Sequence, residues 1–151
     1  MIRQATRYDI DVIVEMMRSY SALSPIIELR TNHNEYHVRQ LITAILVGAG
    51  SAWLAYEDDK PVGMLLAYRN GNMWNPNVMM LSELAFWVEP EYRHSSHGYR
   101  LLREYDKYAS EQVECGSITA YTISKLSNSE FDPSRRGFEW IESTYVKQIK
   151  E

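Results

Sequence analysis

The chain has 151 residues, a formal charge of −4 from 16 Lys+Arg against 20 Asp+Glu, 45% hydrophobic side chains and 24% charged ones. A chain of roughly 150 residues buries about two-thirds or more of its unfolded surface, so a single domain over residues 1–151 is expected, with no need of disulfides or structural metal. The mild acidity excludes a broad phosphate-binding face for nucleic acid, and the lone Cys115 excludes intramolecular disulfides and cysteine-rich metal frameworks. No stretch reaches the roughly 20 apolar residues that cross a bilayer, and Met1 to Arg7 lacks the apolar core of a secretory signal; a cytoplasmic protein without a membrane partner is expected.

Ile2 to Ala5 reads as a short strand. Thr6 with Asp9 three residues on forms an N-cap signal, and Ile10, Ile13, Val14, Met16 and Met17 then recur at helical spacing. After Pro25 a second helical pattern runs through Tyr36, Val38, Leu41, Ile42, Ile45 and Leu46, stopped by Gly48 and Gly50. The period then changes. Ala52 to Tyr56 and Val62 to Tyr68 are apolar and aromatic runs joined by a charged turn, Glu57 to Pro61, which predicts a hairpin.

Val78 to Val88 is expected to be the longest strand. Leu84, Phe86 and Val88 fall on one face and Ala85 and Trp87 on the other, so it should be central and covered on both sides. From about Ser96 a helix follows, packed through Leu101, Leu102, Tyr105, Tyr108, Ala109 and Val113 and closed by Gly116. Ser117 to Ser124 alternates as a strand, Leu126 to Arg136 is polar and aperiodic, and Phe138 to about Ile149 is predicted as a final strand. The order β, α, α, β, β, β, α, β, irregular segment, β predicts an α/β fold: a twisted mixed sheet flanked by helices.

The junction Val88-Glu-Pro-Glu-Tyr-Arg-His-Ser-Ser-His-Gly-Tyr-Arg joins the central strand to a helix N-terminus. Unpaired N–H groups and the positive end of the helix dipole offer a site there for an anion such as a pyrophosphate. Ser95, Ser96 and Gly98 permit close approach, and Arg93, His94 and Arg100 add positive charge. His94 and His97 flank the loop, where they could bind phosphate or simply be exposed polar residues.

This stretch resembles the coenzyme loop of the GNAT superfamily of acetyl-coenzyme A-dependent N-acetyltransferases. Val88, Pro90, Arg93 and Gly98 match that family's strand end and loop, whereas Ser96 stands where the family has glycine. Arg3-Gln4-Ala5-Thr6 with Asp9, and Gly137-Phe138-Glu139 followed by Tyr145-Val146-Lys147, extend the resemblance over nearly the whole chain. The resemblance implies acetyl-CoA as acyl donor and a primary amine, on a small molecule or a protein, as acceptor. It implies contacts to the coenzyme from Trp87, Val88, Arg93, His94, Ser95, Ser96, His97, Gly98, Tyr99 and Asn128. The thioester carbonyl would be bonded by a strand N–H near Trp87 or Val88, and Glu83 would be the general base for the acceptor amine.

Relatives carry a tyrosine general acid four residues before the Gly-Phe pair, where this chain has Pro133; Tyr121, Ser124 and Tyr145 are the alternative hydroxyls. The other reading is a degenerate member that acts as a protein-interaction module, a reading that rests on Ser96 and Pro133. Homodimers are common among relatives. His33 and His37 share a helix face, but His-Asn-Glu-Tyr-His is not the zinc-protease pattern, so acceptor-site lining or plain surface is expected there, as for Glu28, Glu35 and Tyr36. Cys115 has no partner that marks it as a nucleophile.

Overall fold

Thr6 and Asp9 close a reciprocal capping box at the first turn of the chain, with the Thr6 N–H donating to Asp9 Oδ2 at 2.7 Å. The Asp9 carboxylate also takes both arms of the Arg3 guanidinium, at 2.8 and 2.7 Å, and Arg3 donates onward to the Tyr56 hydroxyl at 2.8 Å. One buried carboxylate thus ties strand β1 (Ile2–Gln4), helix α1 (Ile10–Ser21) and strand β2 (Gly50–Glu57) together. This is a computed structural model, and it describes residues 1–127 and 129–149.

Helices α2 (Ile27–Thr31) and α3 (Glu35–Ala44) follow α1, and Asn34 caps α3 by accepting from the His37 N–H. A π-type turn over Ile45–Ala49, with Gly48 at φ +128°, leads into β2. Strand β3 (Lys60–Gly71) returns from β2 through Asp58 and Asp59, both at positive φ, the backbone of a tight hairpin turn. Strand β4 (Met79–Val88) is next, then helix α4 (His97–Glu114) and strand β5 (Ala120–Thr122).

The sheet runs in the order β1-β2-β3-β4-β5, antiparallel up to β4, with β5 parallel to β4. A parallel neighbour needs a crossover, and α4 supplies it. Ile13, Met16, Ile42 and Ile45 of the α1/α3 side pack with Leu54, Leu66, Ala85 and Trp87 on one face. Leu101, Leu102, Tyr105 and Ala109 of α4 pack with Ala55, Leu65, Ala67 and Leu81 on the other. β4 is therefore covered on both sides. No helix among the described residues is long and apolar enough to cross a membrane.

Three expectations are corrected. β3, with 12 residues, is longer than β4, with 10. Within β4, Ala85 pairs with Leu66 and Glu83 with Ala67, so Leu84 is an extra, bulged residue. It packs with Ala85 and Trp87 rather than with Phe86 and Val88, because a bulge resets the two-residue alternation.

The third correction concerns the end of the chain. Ser117 to Ser124 shortens to Ala120–Thr122, and no strand forms from Phe138 to Ile149 among the described residues. Strand sequence supplies propensity, but a strand also needs ladder hydrogen bonds, and among the described residues this segment makes none, although Phe138 packs on Tyr121 of the edge strand β5.

The hydrogen bonds from the Arg3 guanidinium hold the Asp9 carboxyl well below the usual range, at about 2, against the opposing effect of burial. A depressed carboxyl contributes stability that is present above its unfolded value and lost as pH falls through about 2. We expect Asp9→Ala to lower the unfolding free energy by about 2 kcal/mol near neutral pH, allowing for the partial exposure of Arg3. Urea titrations should show that difference shrinking as the solution is acidified toward pH 2.

Candidate active site

The β4–β5 ladder is short: Met80, Leu81 and Ser82 pair with Ala120, Tyr121 and Thr122, and the strands then part. Glu83 is the first residue beyond that ladder and precedes the bulge at Leu84. Its side chain is 6% exposed, and Oε2 accepts the Ser124 N–H at 3.0 Å across the widening gap. Burial disfavours the charged form and pushes the carboxyl up to about 7, against the single hydrogen bond from Ser124 that favours it. A carboxyl poised near neutrality at a gap in the sheet can accept a proton at working pH.

Beyond the ladder the β4 edge from Leu84 to Val88 has no strand beside it among the described residues. The Glu89 N–H donates to Val62 O of β3, so by strand alternation the Trp87 N–H also faces β3 and the Val88 N–H faces the open edge. Val88 O points the same open way, where Arg93 Nε donates to it at 3.0 Å. Of the two expected carbonyl-binding amides, Val88 is the one left open by this geometry.

The loop after β4 places the other expected residues unevenly. Arg93 lies across the Trp87 ring at 4.7 Å while it bonds Val88 O. His94, Ser95 and Ser96 are exposed, and the Ser95 hydroxyl donates to Tyr92 O while accepting from the His97 N–H. Ser96 has φ −81° and makes no side-chain cap, so its backbone is one that any L-residue adopts and imposes no glycine requirement.

The first free amides of α4 are those of Gly98 and Tyr99, which have no backbone partner among the described residues. Gly98 sits over Phe86 and Val88, each 3.7 Å from where a Cβ would stand, an ordinary contact distance. Tyr99 is half exposed beneath the Arg136 guanidinium, 4.8 Å away, which brings a further cation to this helix end.

His97 does not face the loop mouth. Its ring is buried, with Nε2 2.6 Å from Glu57 Oε2 and the ring edge-on to Tyr92, so the residue anchors α4 to the β2–β3 hairpin. Asn128 lies outside the described residues. Of the alternative hydroxyls, Ser124 is at the gap through its N–H, Tyr121 is wedged between the Tyr105 and Phe138 rings, and Tyr145 is 90% exposed. Glu35 is taken up by Arg18 and Arg39, and Glu28 by Asn32.

Two aromatic hydroxyls near Glu83 escaped the sequence reading as site residues. Tyr20, at the end of α1, packs edge-on to Trp87 with 6.2 Å between centroids. Burial, helped by the nearby Glu83 carboxylate, pushes its hydroxyl up to about 12, so it stays a neutral donor. Its position four residues after Met16 on the packed stripe of α1 was the available signal. The buried Tyr105 hydroxyl donates to Thr122 O at 2.7 Å and is raised by the same burial, fixing the end of β5 beside Glu83.

The sequence model of the Acetyltransferase (GNAT) family matches residues 13–129, which span the gap, the β4 edge and the loop just described. The chain belongs to that family. Solved structures share its fold. An integron cassette protein from the mobile metagenome of Cole Harbour Salt Marsh superposes with a TM-score of 0.72 at 20% identity, over 98% of this chain and 89% of its own.

An aminoglycoside acetyltransferase from an uncultured soil metagenomic sample, solved in complex with sisomicin, gives 0.71 at 13% identity over 99% and 96%. A predicted acetyltransferase from Clostridium acetobutylicum, solved with acetyl-CoA, gives 0.68 at 16% over 95% of both chains. No curated protein matches the chain in sequence.

In this GNAT acetyltransferase the raised carboxyl has a thermodynamic cost. The folded state binds a proton that the unfolded state has released between the ordinary carboxyl value of 4.5 and about 7, so stability falls as pH rises through that window. Glu83→Gln keeps the acceptor for the Ser124 N–H without the buried charge. We expect it to melt higher than wild type at pH 8 by an amount on the order of 3 kcal/mol, and about equally at pH 4, as checked by calorimetry at both.

Proposed function

We propose that the chain, acting as one domain over residues 1–151, transfers the acetyl group of acetyl-CoA to a primary amine by direct attack on the thioester. The observation that carries this reading is the buried Glu83 carboxyl, poised near neutrality where β4 and β5 part. The residues present fit the coenzyme. Open amides at Gly98 and Tyr99, with Arg93, Ser95, Ser96 and Arg136 around them, suit a diphosphate. The bare β4 edge suits an extended amide-bearing arm, and bound acetyl-CoA supplies an acyl carbon activated by a thiolate leaving group.

The chain's own residues do the rest. Val88 N–H faces the open edge, where it can stabilise charge developing on a carbonyl oxygen. Glu83 takes a proton from the acceptor, directly or through water, because an ammonium has no lone pair with which to attack. Tyr20, a neutral hydroxyl packed on Trp87 and within the field of Glu83, is placed to orient the amine or to return a proton. Tyr121 is placed less well, with its ring held between two others and its hydroxyl 3.5 Å from Ser110 on α4.

Acetyl-CoA should raise the melting temperature and be consumed in the presence of a panel of primary amines. The kcat/KM profile of wild type should climb with pH through a limb near 7, the value of Glu83. In Glu83→Gln that limb should vanish and the rate fall by about 100-fold or more, with coenzyme affinity unchanged. An unaltered pH profile in the variant rejects Glu83 as the base. Arg93→Ala should instead weaken acetyl-CoA binding by about tenfold with less effect on kcat, as read by calorimetric titration.

A further inference from the structure

Gln4 and Trp53 are paired across the β1–β2 ladder, so their side chains share the sheet face that α4 crosses. Between that face and the helix lies a cleft of about 160 Å³, lined by Gln4, Trp53, Glu104, Lys107, Tyr108 and Glu111. It sits at the β1 edge of the sheet, away from the β4–β5 gap, and shares no residue with the site described above. A space of that size holds a ligand of about six to eight non-hydrogen atoms.

The floor is aromatic and offers one donor. Trp53 is 5% exposed and packs edge-on to Tyr105 and Tyr108, with 6.2 and 5.3 Å between centroids. Its indole N–H makes no hydrogen bond among the described residues and, unlike that of Trp87, is not sealed away, so it opens onto the cleft that Trp53 lines. An indole N–H can only donate, and it therefore calls for an oxygen acceptor on whatever fills the space.

The rim carries charge of both signs, none of it used. Glu104, Lys107, Tyr108 and Glu111 fall on one stripe of α4. Glu15 and Arg18 pair across three residues on α1, whereas Glu104 and Lys107, at the same spacing, do not meet. The side chains of Glu104, Lys107 and Glu111 make no ion pair or hydrogen bond among the described residues. Gln4 spends its side-chain N–H on the Ser51 hydroxyl at 2.7 Å, which leaves its carbonyl oxygen as a further acceptor. A simple cation would leave Lys107 and the indole unanswered, and a simple anion would face two carboxylates. A ligand with an ammonium at one end and a carboxylate at the other answers every group.

We propose that this cleft binds a free amino acid with a small side chain, its ammonium held by Glu104 and Glu111 and its carboxylate by Lys107 and the Trp53 indole N–H. The site is separate from the one that takes acceptor and coenzyme, and its ligand is bound without being acetylated.

Nitrogen–proton correlation spectra of the full chain test this, because each of the four tryptophans gives one indole cross-peak. The Trp53 peak is identified by its loss in Trp53→Phe. Titration with glycine, L-alanine or L-threonine should move that peak saturably, while alaninamide, which lacks the carboxylate, and N-acetylalanine, which lacks the ammonium, should bind about tenfold or more weakly. Lys107→Gln should weaken alanine but not alaninamide, and Glu104→Gln should weaken both, with melting curves unchanged in each variant. No movement of the Trp53 peak with any of the three amino acids overturns the proposal, as does equal binding of the two blocked analogues. A response confined to the Trp87 peak would put the amino acid at the β4–β5 gap and overturn it as well.

Discussion

A single hydrogen bond, from the Ser124 N–H to the Glu83 carboxyl, spans the point where β4 and β5 cease to pair. Two adjacent parallel strands would ordinarily continue their ladder and exclude any ligand. Here the ladder stops after Ser82 and Thr122, the Leu84 bulge turns the strand just beyond, and a carboxyl rather than another backbone group fills the first position of the gap. The bulge, the buried acid and the bare strand edge are parts of one device. It sacrifices sheet hydrogen bonds and carboxyl hydration to keep an opening in an otherwise closed fold.

That opening is held by elements distant from it in sequence. Tyr105 of α4 fixes the end of β5 through Thr122 O, while Tyr20 of α1 closes the opposite face against Trp87. Arg93 reaches back from the loop to Val88 O, so the helix that offers free amides and the edge that offers free strand positions are linked by one side chain. The free amides of α4 and the buried Glu83 carboxyl are thus positioned by the two helical layers on either side of β4.

Much of this was legible in the sequence where local rules decide the outcome. The Thr6/Asp9 cap, the charged hairpin turn, the apolar β4 strand and the packed face of α4 all follow from spacing. Glu83 was singled out through the resemblance to the family, and its burial at the end of the β4–β5 ladder is a feature the structure adds. What escaped depends on partners far along the chain. The Leu84 bulge is defined only by β3, and Tyr20 went unremarked because its nearness to Glu83 arises only when α1 docks on β4. His97 sits within the loop pattern, yet its ring is claimed by Glu57, 40 residues earlier. A last strand was expected from Phe138 to Ile149, and none forms there among the described residues, because pairing depends on tertiary partners that propensity does not specify.

The Glu57–His97 contact carries one more implication. The two-residue turn at Asp58 and Asp59, remote from the gap between strands, is coupled to the first turn of α4 through this contact between a buried imidazole and a half-exposed carboxylate. Lengthening or loosening that hairpin would tilt the helix whose first amides are free and, under the proposed function, alter donor recognition from a turn that itself touches no ligand. Sequence drift in an apparently unconstrained turn would then register, on the proposed function, as a change in grip on the acyl carrier, with the residues proposed to hold the carrier left as they were.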